Sequence, residues 1–209
     1  MASAAPAGQR DYLKWAFFAL MAVCTLTVIW IDERFLIVPN DPEWQHIAAF
    51  KWLLLVHGIC GATALTSGPF QFSDRMRRTH AAWHRWNGRL YIGAVTVGSI
   101  VAGYIGSNFE PRSIYIEQYF QAGGWFLCTY VALYFALRRN FVSHKLWMMR
   151  SYGFCLVFVL SRVPDAMPGF HWTDQLLSDA LWSLVVAALL GPDLILAVRA
   201  AMRRRAPSP

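Results

Sequence analysis

Residues 74–89 read DRMRRTHAAWHRWNGR, five arginines and two histidines against a single aspartate, set between two long apolar runs. A helix that crosses a bilayer needs roughly 20 predominantly apolar residues. Six runs approach that length: 13–31, 46–68, 82–105, 121–138, 144–163 and 177–198. The basic stretch is one of four such clusters. Arg10 and Lys14 precede the first run; Arg138, Arg139, Lys145 and Arg150 surround the start of the fifth; Arg199, Arg203, Arg204 and Arg205 follow the last. The intervening links carry Arg34 and Arg112 against nine acidic residues between Asp32 and Asp179. Lys and Arg are retained on the cytoplasmic side of short loops. The alternation therefore predicts an all-α integral membrane protein, a bundle of about six transmembrane helices with both termini cytoplasmic.

Composition agrees. The chain is 56% hydrophobic and 15% charged, with a mean hydropathy of +0.35, whereas soluble domains carry about a quarter charged residues. The net charge of +7 is spread over short links, which fits a topology signal and argues against nucleic acid as a partner. The lipid bilayer is the partner it implies. Trp15, Trp30, Trp44, Trp83 and Trp172 lie near the ends of apolar runs, where an aromatic belt would place them. The first run is too long for a secretory signal and has Asp32, Glu33 and Arg34 after it. Cys24, Cys60, Cys128 and Cys155 all fall inside apolar runs, with no Cys-x-x-Cys pair. One domain spans 1–209, with disordered ends at about 1–10 and 204–209.

Ionisable groups inside spans are expensive and mark candidate sites. His57 lies in the second run, in LLVHGICG. The segment Ser67-Gly68-Pro69-Phe70-Gln71 reads as a turn, because proline ends helices and glycine permits reversal. Its place between His57 and His84 allows two alternatives. If Ser73 caps the third helix, the two imidazoles meet across a hairpin. If the helix starts near Ala82, His84 sits about 15 Å nearer the cytoplasm. His80 and His84 share a face, a spacing that can hold a metal; their flanking arginines favour a solvated interface. His144 opens the fifth run, with Ser143 as its cap, and shares a face with Met148 and Ser151. Tyr91 lies seven residues from His84. Arg89, Arg150 and Asp193 fall at one depth, so Asp193 is a partner for either arginine. Arg162, Asp165, His171 and Asp174 read as outer loop surface.

Two imidazoles on facing helices can clamp a haem iron within apolar walls, cationic Arg85, Arg89 or Arg150 would favour its propionates, and Tyr91 would lie along the same wall as His84. The first functional expectation is therefore one haem b held by His57 with His84 or His144, passing electrons from a partner such as a membrane quinol. A non-redox transporter or small-molecule binding protein using the buried His/Arg/Asp layer is the second, and an accessory subunit the third. No nucleophile elbow, phosphate loop or His-Glu-x-x-His occurs.

Residues 50–165 resemble a broad family of bacterial inner-membrane proteins of unknown function. The resemblance rests on His57 with Gly61, Gly68-Pro69-x-Gln71, His84-Arg85-x-x-Gly88-Arg89-x-Tyr91, and His144-x-x-Trp147-Met148-x-Arg150-Ser151 followed by Arg162. It implies a multi-pass fold in the bacterial inner membrane and no particular activity. The histidine-bearing hairpin is also similar to those of the ascorbate-type transmembrane b cytochromes. That family holds two haems, which needs two ligand pairs; here His57, His84 and His144 are the inward histidines.

Overall fold

The computed structural model describes residues 7–31, 38, 48–109 and 115–205. Among them the elements are α1 (Ala7–Ile31), α2 (Lys51–Gln71), α3 (Asp74–Thr79), α4 (Ala81–Asn108), α5 (Tyr115–Leu137), α6 (Phe141–Arg162), a 3-10 turn (Val163–Ala166) and α7 (Asp174–Arg205). Five of these, α2, α4, α5, α6 and α7, are long and apolar enough to cross a membrane, and α1 adds the shorter apolar stretch Ala16–Ile31. Lipid cannot satisfy a backbone amide or carbonyl, so a helix that closes its own hydrogen bonds is the economical way to cross. Trp52, Ile59, Ile100, Ile116, Leu127 and Leu194 point outward. Water would penalise so large an apolar surface, whereas acyl chains solvate it.

Helix α6 is the axis of the bundle. It packs against α1, α2, α5 and α7, and Met148, Ser151, Tyr152, Phe154, Cys155, Leu156, Val157 and Val159 are all buried along it. A helix apolar on every side belongs in the middle. Glycines on its neighbours admit its rings: a methyl group at Gly68 would lie 2.4 Å from the Tyr152 ring, and one at Gly124 would lie 2.5 Å from Phe154. Helices α2 and α4 form an antiparallel hairpin in which Asn87 Nδ2 donates to the Ser67 carbonyl (2.9 Å) and Gln71 Nε2 to that of His84 (3.3 Å). Gln71 reaches that carbonyl over Gly88, which has no side chain to block it. Between α5 and α6 the chain reverses at Arg139, in the left-handed region with φ of 55°. The Asn140 amide then closes onto the Phe135 carbonyl as in a Schellman turn.

Three local expectations are corrected. Pro69 does not end α2, which runs on to Gln71. Proline at 69 leaves the Leu65 carbonyl without its helical donor, and the Tyr152 hydroxyl donates there instead, at 3.2 Å. Ser73 caps α3 by accepting from the Met76 amide (3.3 Å), so the spanning helix α4 starts afresh at Ala81 and the second alternative for His84 holds. Asn140, not Ser143, caps α6, its side chain accepting from the Ser143 amide (3.2 Å). Residues 7–10 and 204–205, assigned to disordered ends, continue α1 and α7; residues 1–6 and 206–209 lie outside the described residues, as do Asp32, Glu33, Arg34, Trp44, His46 and Arg112.

Candidate functional site

The hairpin register sets the depth of each histidine. His57 bonds through Nδ1 to the Gly98 carbonyl at 3.1 Å and meets the Phe158 ring edge-on, with centroids 6.2 Å apart. His84 lies fourteen residues from Gly98 on α4, and His144 lies fourteen residues from Phe158 on α6. Each is therefore displaced from His57 by about 21 Å along the bundle, at about 1.5 Å per residue. No single iron can be shared by His57 and either of the other two. This corrects the pairing expected from the sequence, and its cause is the short helix α3, which takes up the residues that would have brought His84 level with His57.

His84 and His144 do share a level. His84 is within electrostatic range of His144, Arg77 and Arg85, and its Nδ1 is buried without a hydrogen-bond partner. His144 Nδ1 is bonded to the Ala132 carbonyl at 2.8 Å. A carbonyl only accepts, so Nδ1 carries a proton, and the neutral tautomer with this bond has its lone pair on Nε2. His80 is exposed, with Nδ1 at 2.8 Å from the Thr79 hydroxyl, and does not join His84. No group of three or more His, Cys, Asp or Glu side chains that could hold a metal ion occurs among the described residues.

Arg150 is fixed from three directions. Its Nε donates to the Leu189 carbonyl (3.1 Å), its Nη2 to Asp193 (2.7 Å), and its guanidinium lies 4.3 Å from the Trp147 ring. Arg89 is exposed and does not join this group. Arg150 thus ties α6 to α7 where Pro192 interrupts the α7 hydrogen-bond ladder.

Tyr91 has a different neighbour from the one expected. Its hydroxyl lies 2.8 Å from Ser151 Oγ, which lies 2.7 Å from Thr129 Oγ1. Thr129 donates its one proton to the Trp125 carbonyl at 2.8 Å. Each hydroxyl has one proton, which fixes the direction: Tyr91 donates to Ser151, Ser151 to Thr129, Thr129 to the backbone. All three side chains are at 0% exposure, and the chain joins α4, α6 and α5.

Toward the other end of the bundle α1, α2, α4, α5, α6 and α7 line a partly open cavity of about 220 Å³. Its walls are largely apolar, with Phe154, Phe158 and Trp125 supplying rings; His57, Gln118 and Arg162 are its principal polar members. Gln118 Oε1 is buried with no partner. Gly58 and Gly61 line it, and a Cβ added at either would meet nothing within 4 Å. Sequence reading placed Arg162 on loop surface and passed over Gln118 entirely, since neither stands out without the arrangement of six helices around it.

Residues 54–198 match the model of the family described as Predicted membrane protein (DUF2306). The chain belongs to that family. No curated protein and no solved structure matches it. Several residues carrying the family resemblance hold the fold here: Gly68 receives Tyr152, Gly88 admits Gln71, Arg150 binds α7, and Tyr91 with Ser151 joins three helices. His57, Gly61 and Arg162 are the three of them that line the cavity.

The direction of the hydroxyl chain has a measurable consequence. Ser151→Ala removes two hydrogen bonds and strands a buried tyrosine hydroxyl, whereas Tyr91→Phe removes one bond and strands nothing. A stranded buried polar group costs about 1–3 kcal/mol. Thermal unfolding in detergent should therefore show Ser151→Ala as the more destabilised variant; the reverse order would contradict the assigned direction.

Proposed function

We propose that this membrane protein binds a small, mostly apolar molecule carrying a hydrogen-bonding group, within the cavity that contains His57. The observation that supports this most is the pairing of an apolar, ring-lined cavity with polar atoms left open in it. A site of that kind, few polar groups converging in an apolar hollow, is the usual form of a small-molecule pocket. In a helix bundle such groups are ordinarily bonded to protein. His57 has one nitrogen still available and Gln118 one oxygen without a partner. A membrane quinol is one molecule of the right character, soluble in lipid and polar at one end.

A second reading retains haem b and electron transfer, moved to His84 and His144. It is favoured by their common level and by the His144 Nδ1 bond to a carbonyl, the arrangement that leaves Nε2 free for a metal. Arg85, on the turn next to His84, supplies positive charge for an anionic group.

We further propose a cytoplasmic placement for the end that carries α3, His84, His144, the start of α1 and the end of α7, and hence for both termini, with the bilayer being a bacterial inner membrane. Arg75, Arg77, Arg78, Arg138, Arg139 and Lys145 crowd that end, while Glu117, Asp165, Asp174 and Asp179 lie at the other.

Three measurements test these readings. A Cβ at Gly61 meets no neighbour, so Gly61→Leu should extend into the cavity, leave thermal stability intact and reduce labelling of α2 and α5 by an apolar photoaffinity probe about tenfold, the loss expected when about 1.4 kcal/mol of binding is removed. Unchanged labelling would exclude the cavity as the site. A reduced-minus-oxidised spectrum of protein expressed with ample haem should show a Soret change that His84→Ala and His144→Ala abolish and His57→Ala leaves in place; a flat wild-type spectrum ends the haem reading. A cysteine introduced at Arg78 should react with an impermeant maleimide only in inverted vesicles, and reaction from the outside would reverse the assigned orientation.

A further inference from the structure

If the cavity binds a small molecule as proposed, its polar atoms also restrict the chemistry of the occupant. His57 donates its Nδ1 proton to the Gly98 carbonyl, because a carbonyl has none to give. A neutral imidazole has only one N–H, so the nitrogen left for a ligand, Nε2, is a bare lone pair. Gln118 Oε1, also on the cavity wall, is a second acceptor without a partner. A glutamine amide can turn to present either end, so the polarity of the site rests on His57. The occupant must bring a proton to it.

A positively charged donor such as an ammonium is disfavoured. Arg162 lines the same cavity, and among the described residues none of its lining side chains is a carboxylate. A neutral hydroxyl remains. The walls favour its attachment to a ring: Phe154, Phe158 and Trp125 face the space, and His57 itself already packs edge-on to Phe158. Aromatic rings gain in such edge and offset contacts beyond the area they bury.

We infer that the cavity is selective for a neutral ring molecule bearing a free hydroxyl, of the phenol or hydroquinone class, with His57 Nε2 accepting the hydroxyl proton in a hydrogen bond. Carbonyl-only or etherified counterparts of the same shape would leave that lone pair buried and unpaired. A buried acceptor without its partner costs about 1–3 kcal/mol, which corresponds to at least a several-fold preference.

The test uses the full-length protein in phosphatidylcholine nanodiscs with reductant present. Calorimetric affinities are compared for a methylated hydroquinone with a short alkyl tail and for its dimethyl ether, which matches it in shape but has no donor. Wild type should bind the hydroquinone about tenfold more tightly than the ether. His57→Phe should reduce the preference to within about twofold, while His57→Gln, which keeps an acceptor, should retain most of it. Thermal stability of each variant is measured alongside, so that a misfolded His57→Phe is recognised and the comparison of the two ligands on wild type and His57→Gln decides. Equal binding of hydroquinone and ether by wild type would overturn the hydroxyl selectivity while leaving the cavity as a binding site. Binding of neither would overturn both.

Discussion

Lipid offers no hydrogen bond, and every polar group that the helices turn inward has to find its partner inside the protein. The chain from Tyr91 through Ser151 and Thr129 to the Trp125 carbonyl meets that requirement most economically. Three protons pass in one direction and end on a backbone oxygen, so no hydroxyl is left over. Because the members come from α4, α6 and α5, satisfying them fixes the rotation of three helices at once. Packing of apolar side chains against one another cannot do this in a membrane, where a leucine is as well solvated by acyl chains as by another leucine. The same economy operates at Pro69, whose missing amide is replaced by the Tyr152 hydroxyl.

Depth in the bundle sorts the remaining polar residues into two groups. At one end lie His84, His144 and the Arg150–Asp193 pair; toward the other lies the cavity with His57, Gln118 and Arg162. Between them sits the closed hydroxyl chain, whose protons are all committed. The Trp125 indole N–H lies beside the Tyr91 hydroxyl, and Trp125 also lines the cavity.

The spans were legible because hydropathy and charge are properties of contiguous sequence. Six apolar runs and four basic clusters define helices and links without reference to what packs on what. Depth was not legible, and His84 shows why. Its level relative to His57 depends on whether the residues after Gln71 join a spanning helix or form one of their own. Ser73 makes that choice by capping α3, but a serine before an aspartate reads the same way in either case. Pro69 misled for a related reason: its helix-breaking effect is intrinsic, while the tyrosine hydroxyl that offsets it comes from a helix more than eighty residues away. Cavity residues such as Gln118 were hidden because an empty space has no sequence of its own.

The small residues of α2 carry the last step. Gly68 is occupied by Tyr152, and its role is packing. Gly58 and Gly61, about three and two turns earlier, meet nothing, although they lie on the same helix and belong to the same class of residue. Glycine in a helix interior is destabilising by about 0.5–1 kcal/mol relative to alanine, and close helix approach is the usual compensation in membranes. At Gly68 that compensation is present. At Gly58 and Gly61 no side chain or backbone draws near enough to supply it, and what the missing side chains leave instead is room beside His57. These two glycines thus give up helix propensity without a packing partner among the described residues, and the room they leave lies along the cavity wall that also carries His57.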